Sequence, residues 1–294
     1  MMEREAFQGR VLCGAHLELG EGPTYDPATD TAWWFDIKGK ALHALELATG
    51  TKTVHPLPFL GSVMAVVDAG RQLIVSDQGL FIRNTGDGSL SLHVTLEDKP
   101  ENRSNDGRMH PSGALWASTM GRKAEDGAGA IYHVAGTTVT KLFDGITIPN
   151  GICFSPDGSV GYYVDSIPNR LMRVALDPAT GLPTGTPTVL VDAHGSDATI
   201  DGAITDAEGN IWNATWGIGA VDVYRPDGTR IARYGVPAKQ SSCPAAIGRK
   251  ADRVLVTSAW QDYGPAEKAA DPRAGNTFEL GVSFKGKFEP AFRL

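Results

Sequence analysis

The sequence contains few cysteines, and their placement excludes the usual cysteine-based architectures. Only three occur among 294 residues, at positions 13, 153 and 243, and no Cys-x-x-Cys pair is present. An odd number of scattered cysteines argues against a disulfide framework and against a structural zinc site. We expect reduced thiols, with Cys153 and Cys243 acting as small buried apolar residues.

Long apolar runs and an excess of positive charge are also missing. No run approaches the ~18 apolar residues of a membrane helix, and the start MMEREAFQGRVL is too charged for a signal peptide. Lys and Arg total 27 against 34 Asp and Glu, a net charge of −7. Such a surface has no general attraction for nucleic acid or anionic membranes. We therefore expect a cytoplasmic monomer or weak dimer without nucleic-acid or membrane partners.

Helical periodicity is hard to find, because Gly or Pro interrupts every stretch of a dozen residues. The chain has 35 Gly and 18 Pro, typical of a protein with many tight turns. Short runs rich in aromatic and β-branched residues, each bounded by turn residues, predict strands. The clearest are TAWWFDI, QLIVSD, ALWASTM, GYYVDS, NIWNATW and RVLVTSAW.

These runs repeat with one layout, in which a short strand and a turn come before each run and one or two further strands follow it. The repeats begin at Glu21, Ser62, Asn105, Asn150, Asp201 and Ser242. Their spacing of about 40–50 residues is the period of a four-stranded propeller blade. The pattern predicts an all-β, six-bladed β-propeller with antiparallel blades, forming one domain over residues 1–294. The sixth repeat lacks an outer strand, and FQGRVLC near the N-terminus is expected to supply it and close the ring.

The starts of the six blades predict which side chains meet. The first strand of each propeller blade lines the central channel, so these starts converge at one mouth. Glu21, Asn150 and Asp201 are oxygen ligands that suit Ca²⁺, Mg²⁺ or Mn²⁺ better than a structural zinc. A single Asp-Gly or Asn-Gly pair is more often a turn, as we expect for Asp157 and Asp227. Three pairs at equivalent positions favour a metal site.

A family resemblance is carried by four stretches, LGEGPTYDPATDTAWWFDI, ENRSNDGRMHPSGALWASTM, IPNGICFSPDGSVGYYVDS and TIDGAITDAEGNIW. In this order and spacing the chain resembles, over nearly its whole length, the gluconolactonase/regucalcin/luciferin-regenerating-enzyme family of senescence-marker-protein-like sugar lactonases. The resemblance implies a six-bladed propeller that binds one divalent metal ion and hydrolyses a sugar lactone. The family's metal ligands fall on Glu21, Asn150 and Asp201, and its substrate-binding Arg and Asn on Arg103 and Asn105. Ca²⁺ is the expected ion, with Zn²⁺, Mg²⁺, Mn²⁺ and Fe²⁺ as alternatives.

One departure from the family pattern concerns the substrate. Many members carry an acidic residue shortly after the Thr-Met of the third blade, whereas this chain has TMGRKAED, with Arg122 and Lys123 first and Glu125 later. Basic residues at the mouth would favour a lactone with its own carboxylate, from a uronic or aldaric acid. The alternative is that Arg122 and Lys123 are solvated loop charges and that the substrate is an aldonolactone.

The resemblance also assigns Asp201 as the general base, with Glu21 and Asn150 mainly holding the ion. Covalent catalysis is less favoured, because no Gly-x-Ser-x-Gly elbow is present and the blade starts Ser62 and Ser242 have no histidine nearby in sequence. Among seven histidines, His110 and His194 are the two that could approach the mouth. Two other functions stay open: a non-catalytic calcium-binding protein and a metal-dependent esterase or organophosphatase.

Overall fold

The computed structural model describes residues 4–294 and consists almost entirely of β-strands. The strands, in chain order, are β1 Arg10–Cys13, β2 Gly20–Asp26, β3 Thr31–Asp36, β4 Ala41–Glu46, β5 Lys52–Pro56, β6 Gly61–Asp68, β7 Arg71–Ser76, β8 Gly79–Asn84, β9 Leu90–Val94, β10 Asn102–Met109, β11 Leu115–Gly121, β12 Gly129–Ala135, β13 Thr138–Ile146, β14 Pro149–Phe154, β15 Val160–Asp165, β16 Arg170–Ala175, β17 Thr188–Asp192, β18 Thr199–Thr205, β19 Ile211–Trp216, β20 Ala220–Tyr224, β21 Arg230–Gly235, β22 Ser241–Ile247, β23 Arg253–Ser258 and β24 Thr277–Glu279. One helix, α1 (Pro265–Ala270), lies between β23 and β24.

The strands form six antiparallel sheets of four strands each, as the sequence predicts. Five sheets use consecutive strands: β2 to β5, β6 to β9, β10 to β13, β14 to β17 and β18 to β21. The first strand of each sheet contacts the first strand of the next, and β22 of the last sheet contacts β2 of the first. The sheets therefore close into a six-bladed β-propeller around a central channel.

The N-terminal strand closes the ring, which confirms the expectation for the FQGRVLC segment. The sixth sheet has the order β1-β24-β23-β22, so its outermost strand comes from the opposite end of the chain. Strand β1 pairs antiparallel with β24 through Arg10 with Glu279 and Val11 with Phe278. This pairing covers an edge that would otherwise expose unpaired main-chain groups.

The apolar core is divided among the six contacts between neighbouring blades. Six clusters of buried side chains each combine residues from two adjacent sheets. Trp116 and Phe154, for example, meet edge to face between the third and fourth blades, with ring centroids 5.1 Å apart. The tryptophans of the central strands thus pack between blades.

Every inner strand carries an irregularity at the same level. The register with the second strand of each sheet shifts at six corresponding steps: 21/24, 61/63, 104/107, 150/153, 200/203 and 241/244. A bulge bends the strand and redirects the side chains at that point. The six irregularities coincide with the blade starts identified in the sequence, and they set the level at which a site can form.

The sequence patterns do not indicate helix α1. It spans only six residues, begins with Pro265 directly after the N-cap Gly264, and buries none of its side chains. Without a buried apolar face it leaves no periodic hydrophobic signal. Among the residues from 4 to 294, no helix has the length and apolar character needed to cross a bilayer.

Ring closure gives a stability prediction from the two glycines that flank β1. A Cβ added at Gly9 would collide with the main chain of Glu279 and Leu280, whereas one added at Gly14 meets nothing within 4 Å. We expect Gly9→Ala to lower the free energy of unfolding by about 1–3 kcal/mol, because overpacking must displace β1 from β24. Thermal and denaturant unfolding would measure this change.

The matched control is Gly14→Ala, which we expect to unfold like the wild type. Equal stability of the Gly9→Ala and Gly14→Ala proteins would contradict a tight seam between β1 and β24.

Candidate functional site

A cavity of about 600 Å³ lies at the mouth where the inner strands converge. All seven site residues predicted from the sequence line it, namely Glu21, Arg103, Asn105, Arg122, Lys123, Asn150 and Asp201. Its apolar wall includes Leu19, Met120, Ile148, Ile167 and Trp216. The fold therefore brings together residues up to 180 positions apart, from Glu21 to Asp201. A volume of this size is typical of small-molecule sites.

Glu21, Asn150 and Asp201 reach the cavity from the irregular steps of β2, β14 and β18. The residues that follow the first two are Gly22 and Gly151, with φ of 52° and 62°, in the left-handed region that favours glycine. At Gly22 a side chain would also collide with the carbonyl oxygen of Ser62 on the next blade. The Glu-Gly and Asn-Gly pairs seen in the sequence therefore let neighbouring main chains approach closely beneath the site.

The two carboxylates of the predicted triad are buried, and their negative charges repel each other. Burial and the negative charge of Asp106 raise the pKa of Glu21 to about 8. Burial, followed by the charge of Glu21, raises the pKa of Asp201 well above its usual value. Each side chain accepts a hydrogen bond from the main-chain N–H of the residue that follows it, Gly22 for Glu21 and Gly202 for Asp201. Two like charges held this close favour proton uptake or a bound cation.

The Asn150 amide is oriented by its neighbours on both sides. Its Nδ2 donates to Ser166 Oγ at 3.0 Å, and its Oδ1 accepts from Asn105 Nδ2 at 2.8 Å. Ser166 Oγ in turn donates to Ile200 O, next to Asp201. Asn105 Nδ2 donates its second hydrogen to Pro149 O, with a distance of 2.9 Å between the two heavy atoms. Asn105 therefore holds the strand of Asn150 as well as facing the cavity.

The three basic residues predicted for the site differ in how strongly other protein groups bind their side chains. Arg103 Nη1 donates to Asn105 Oδ1 at 2.8 Å, and burial lowers the pKa of Arg103 to about 10 although Glu21 and Asp201 oppose the shift. Arg122 forms an ion pair with Asp77 at 2.8 Å and also donates to Pro100 O. Lys123 is exposed on the cavity rim, and within residues 4–294 it has no carboxylate partner. Its charge is thus available to a ligand entering the cavity.

Several polar residues weighed in the sequence serve the scaffold instead. Ser62 Oγ donates to Ser104 Oγ on the third blade, and Ser242 Oγ donates to Gly20 O on the first. His110 is buried against Gly158 O, and His194 lies in an exposed turn. None of Ser62, Ser242, His110 and His194 is part of the cavity wall. Trp216, by contrast, lies in that wall, as its place at a strand end allows.

Two buried charged residues escaped prediction. Asp106 and Arg108 lie on β10 beneath the cavity, and burial raises the pKa of Asp106 to about 6 although Arg108 opposes the shift. Their signal is present in SNDGRM, where acidic and basic residues alternate along a strand that is otherwise buried. Charges are rarely buried without a partner, so this pattern indicates a buried polar network.

The residues at the cavity floor fit a divalent cation. Glu21 and Asp201 supply carboxylate oxygens with few protein partners, and Asn150 supplies an amide oxygen whose NH₂ end is held elsewhere. An all-oxygen set matches the preference of Ca²⁺ and related hard cations. Within the described chain, no cluster of three or more His, Cys, Asp or Glu residues has metal-binding geometry. The triad itself contains only two such residues, with Asn150 as the third donor.

Comparisons with known proteins agree with the fold and show the family of the chain. A sequence model of the SMP-30/Gluconolactonase/LRE-like region matches residues 19–260. A Rhizobium meliloti protein provisionally named a sugar lactone lactonase is 63% identical over 100% of both chains. The L-arabinolactonase of Azospirillum brasilense is 33% identical, covering 93% of this chain and 91% of its own. A crystal structure of a calcium-binding protein, regucalcin, from Agrobacterium tumefaciens superposes with a TM-score of 0.99 at 59% identity, over 100% of both chains.

The buried carboxylates give a pH prediction for protein stripped of divalent cations. The pKa of Glu21 is about 8 in the folded state, so its carboxyl keeps its proton up to that pH, whereas the unfolded chain loses it near the ordinary glutamate pKa of 4.5. Between these values the folded state binds more protons, so its free energy of unfolding falls as the pH rises. We expect urea midpoints of the stripped protein to decrease from pH 5 to pH 8.

Glu21→Gln removes this titration and should flatten the pH dependence. A stripped wild-type protein that becomes more stable between pH 5 and pH 8 would contradict the assigned electrostatics of Glu21 and Asp201.

Proposed function

The chain belongs to the SMP-30/gluconolactonase/LRE-like family, and on this premise we propose that it is a metal-dependent hydrolase that opens a sugar lactone to the free sugar acid. The observation that carries the proposal is the convergence of Glu21, Asn150 and Asp201 on a cavity also lined by Arg103 and Asn105. Relatives named sugar lactone lactonase and L-arabinolactonase support a lactone as the substrate class. The activity is hydrolysis of a carboxylic ester bond within a ring.

Glu21, Asn150 and Asp201 are proposed to hold one divalent ion. Ca²⁺ is favoured by the oxygen ligands, and the Agrobacterium tumefaciens neighbour is described as a calcium-binding protein. A divalent cation bound there would polarise the lactone carbonyl and offset the negative charge that develops on its oxygen. It would also relieve the repulsion between the buried carboxylates of Glu21 and Asp201.

Other roles in hydrolysis are proposed for Asp201, Arg103 and the apolar wall according to their positions in the cavity. Asp201 is proposed as the general base that takes a proton from the attacking water, since its carboxylate lines the cavity and has no side-chain hydrogen bond within the described residues 4–294. Arg103 is proposed to orient the sugar hydroxyls, with Asn105 Oδ1 fixing its guanidinium. The apolar wall, which includes Met120 and Trp216, would exclude water from part of the bound sugar ring.

The basic rim favours a lactone that carries its own carboxylate. Lys123 is exposed and has no acidic partner within residues 4–294. Arg122 is its neighbour in sequence, and the ion pair of Arg122 with Asp77 partly neutralises the charge of Arg122. Lys38 also reaches the rim, 3.7 Å from Asp262. We therefore infer a uronic or aldaric acid lactone as the preferred substrate, with Lys123 as the main anion contact and Arg122 as a secondary one. The similarity to an L-arabinolactonase keeps a neutral aldonolactone as the second candidate.

A non-catalytic calcium-binding role is the competing function of a different class. It is favoured by the name of the Agrobacterium tumefaciens neighbour, and it would use the same oxygen ligands. The cavity argues for catalysis, because a binding protein has no need of a volume of about 600 Å³ beside its ion. A metal-dependent esterase or organophosphatase is a third possibility that substrate tests distinguish.

Proton release during hydrolysis gives a direct test of the proposed activity. We expect the protein to hydrolyse sugar lactones in a pH-stat assay, to lose turnover after chelation, and to regain it with Ca²⁺ or another divalent ion. Binding of Ca²⁺ without lactone turnover would support the non-catalytic role. Turnover confined to aryl esters or organophosphates would support the esterase.

Within the same assay, Asp201→Asn should keep the fold and lose roughly 10²–10⁴-fold in kcat, the usual contribution of a positioned base. The matched control is Asp262→Asn, a carboxylate on the rim of the same cavity, which should keep near-normal turnover. Near-normal turnover of Asp201→Asn would refute its role as base.

The substrate inference predicts a selectivity change at Lys123. We expect Lys123→Gln to lower kcat/KM for an acidic lactone by roughly 10-fold, about 1.4 kcal/mol, while leaving a neutral aldonolactone nearly unaffected. Measurement of both substrates at two ionic strengths would show the loss of an electrostatic contact.

Lys52→Gln, on the exposed strand β5, makes the same change of net charge away from the cavity and serves as the control. A wild-type protein that turns over neutral lactones rapidly and leaves acidic lactones untouched would refute the proposed roles of Lys123 and Arg122.

A further inference from the structure

Arg108 lies across the central channel beneath the cavity and joins blades that are distant in sequence. It is buried on β10, an inner strand that supplies none of the proposed metal ligands. Its Nη1 donates to Pro23 O at 3.3 Å, and its Nη2 donates to Ala203 O at 3.2 Å and to Cys243 Sγ at 3.4 Å. One guanidinium therefore links the third blade to the first, fifth and sixth.

The carbonyl groups that Arg108 binds stand in a regular relation to the site. Pro23 comes two residues after Glu21, and Ala203 comes two residues after Asp201. The third ligand strand is held through its main-chain N–H by another charged residue of β10, because Asp106 Oδ2 accepts from Ile152 N at 2.8 Å. Ile152 comes two residues after Asn150. Strand β10 thus binds each of the three ligand strands at the residue two positions after the proposed ligand.

The position of Arg108 is itself fixed from the far side of the channel. Its Nη1 forms an ion pair with Glu289 Oε1 at 2.7 Å. Glu289 lies with Lys287 and Phe288 in a small cavity also lined by Thr24 and Thr205, near the other ends of the inner strands. The C-terminal segment therefore occupies the mouth opposite the proposed active site.

The segment from Phe284 to Arg293, here called the C-terminal strap, spans this mouth. At one end Lys285 O accepts from Ala207 N, and Gly286 N donates to Ala251 O, on the fifth and sixth blades. At the other end Phe292 N donates to Val66 O and Arg293 N donates to Gly113 O, on the second and third blades. Glu289 lies between these two anchors. The strap thus holds its carboxylate against Arg108 from both sides.

We propose that Arg108 is a positioning residue for the metal site, and that the C-terminal strap fixes it through Glu289. The inference rests on the proposed metal-binding function of Glu21, Asn150 and Asp201. A guanidinium has donors in a rigid planar fork, so it can set the separation of the Pro23 and Ala203 carbonyls and hence that of Glu21 and Asp201. Its positive charge also favours the ionised form of Glu21.

The test measures Ca²⁺ affinity by calorimetry on the full-length chain after removal of divalent cations. Arg108→Met keeps the approximate length and removes the fork and the charge, whereas Arg108→Lys restores the charge alone. We expect Arg108→Met to weaken Ca²⁺ binding roughly 10–100-fold, as loss of an outer-shell partner does, and Arg108→Lys to recover part of it. Glu289→Gln should weaken binding several-fold in the same direction.

Lys285→Gln is the matched control, because it removes an exposed ion pair with Glu208 from the same strap without touching Arg108. The double variant Arg108→Met/Glu289→Gln should bind Ca²⁺ no more weakly than Arg108→Met, since both changes act through one contact. Electron paramagnetic resonance of Mn²⁺ at saturation should show an altered line shape in Arg108→Met and Glu289→Gln and an unchanged one in Lys285→Gln. A merely structural role would leave the spectrum of the bound ion unaltered.

The outcomes separate this inference from the proposed function. Wild-type affinity and an unaltered Mn²⁺ spectrum in folded Arg108→Met and Glu289→Gln would overturn the positioning role alone. If Arg108→Met does not fold, the same two measurements on Glu289→Gln and Arg108→Lys decide. A wild-type protein that binds neither Ca²⁺ nor Mn²⁺ would overturn both proposals.

Discussion

The central constraint in this protein is the burial of three carboxylates, Glu21, Asp106 and Asp201, around one channel. Burial is the main cause that raises the pKa of each of them. The charge of Asp106 raises the pKa of Glu21 and Asp201 further, and the charge of Glu21 raises that of Asp201. Like charges in a poorly solvated site are unfavourable unless cations or hydrogen bonds compensate them. The protein provides Arg103 beside the cavity and Arg108 below it, and leaves the oxygens of Glu21 and Asp201 facing the cavity. The arrangement is suited to a divalent cation.

The closed ring makes this arrangement possible. Each inner strand is bound by its own sheet and by two neighbouring inner strands, so its irregular step cannot relax independently. Main-chain contacts as close as that between Gly22 and Ser62 fix the level of the steps. The strand β1 and the C-terminal strap add long-range connections, one at the outer edge and one across the channel. Rigid elements of this kind place ligating side chains more accurately than flexible loops do.

In the proposed function, the cavity floor and the cavity rim would contact different parts of a lactone. In the proposed function, the floor with Glu21 and Asp201 would act on the ester group that every lactone shares, and Arg103 also lines the cavity. The rim, with Lys123 exposed and Arg122 paired to Asp77, is where the charge of the rest of the sugar would be sensed. On this proposal, substitutions at the rim would change the substrate without disturbing the proposed metal ligands.

The sequence alone determined the six repeats, their four strands, the closing role of the N-terminal segment and the convergence of Glu21, Asn150 and Asp201 on one mouth. These follow from local patterns that recur at a fixed period, and the family resemblance adds the role of each residue. The sequence did not reveal helix α1, because that helix buries no side chain. It also did not reveal the ion pair that restrains Arg122 or the contacts of Ser62 and Ser242 between blades. Only the tertiary structure placed Glu289 against Arg108, 181 residues away. No local pattern encodes such a pair, because it depends on how the C-terminal segment crosses a channel that exists only when the ring has closed.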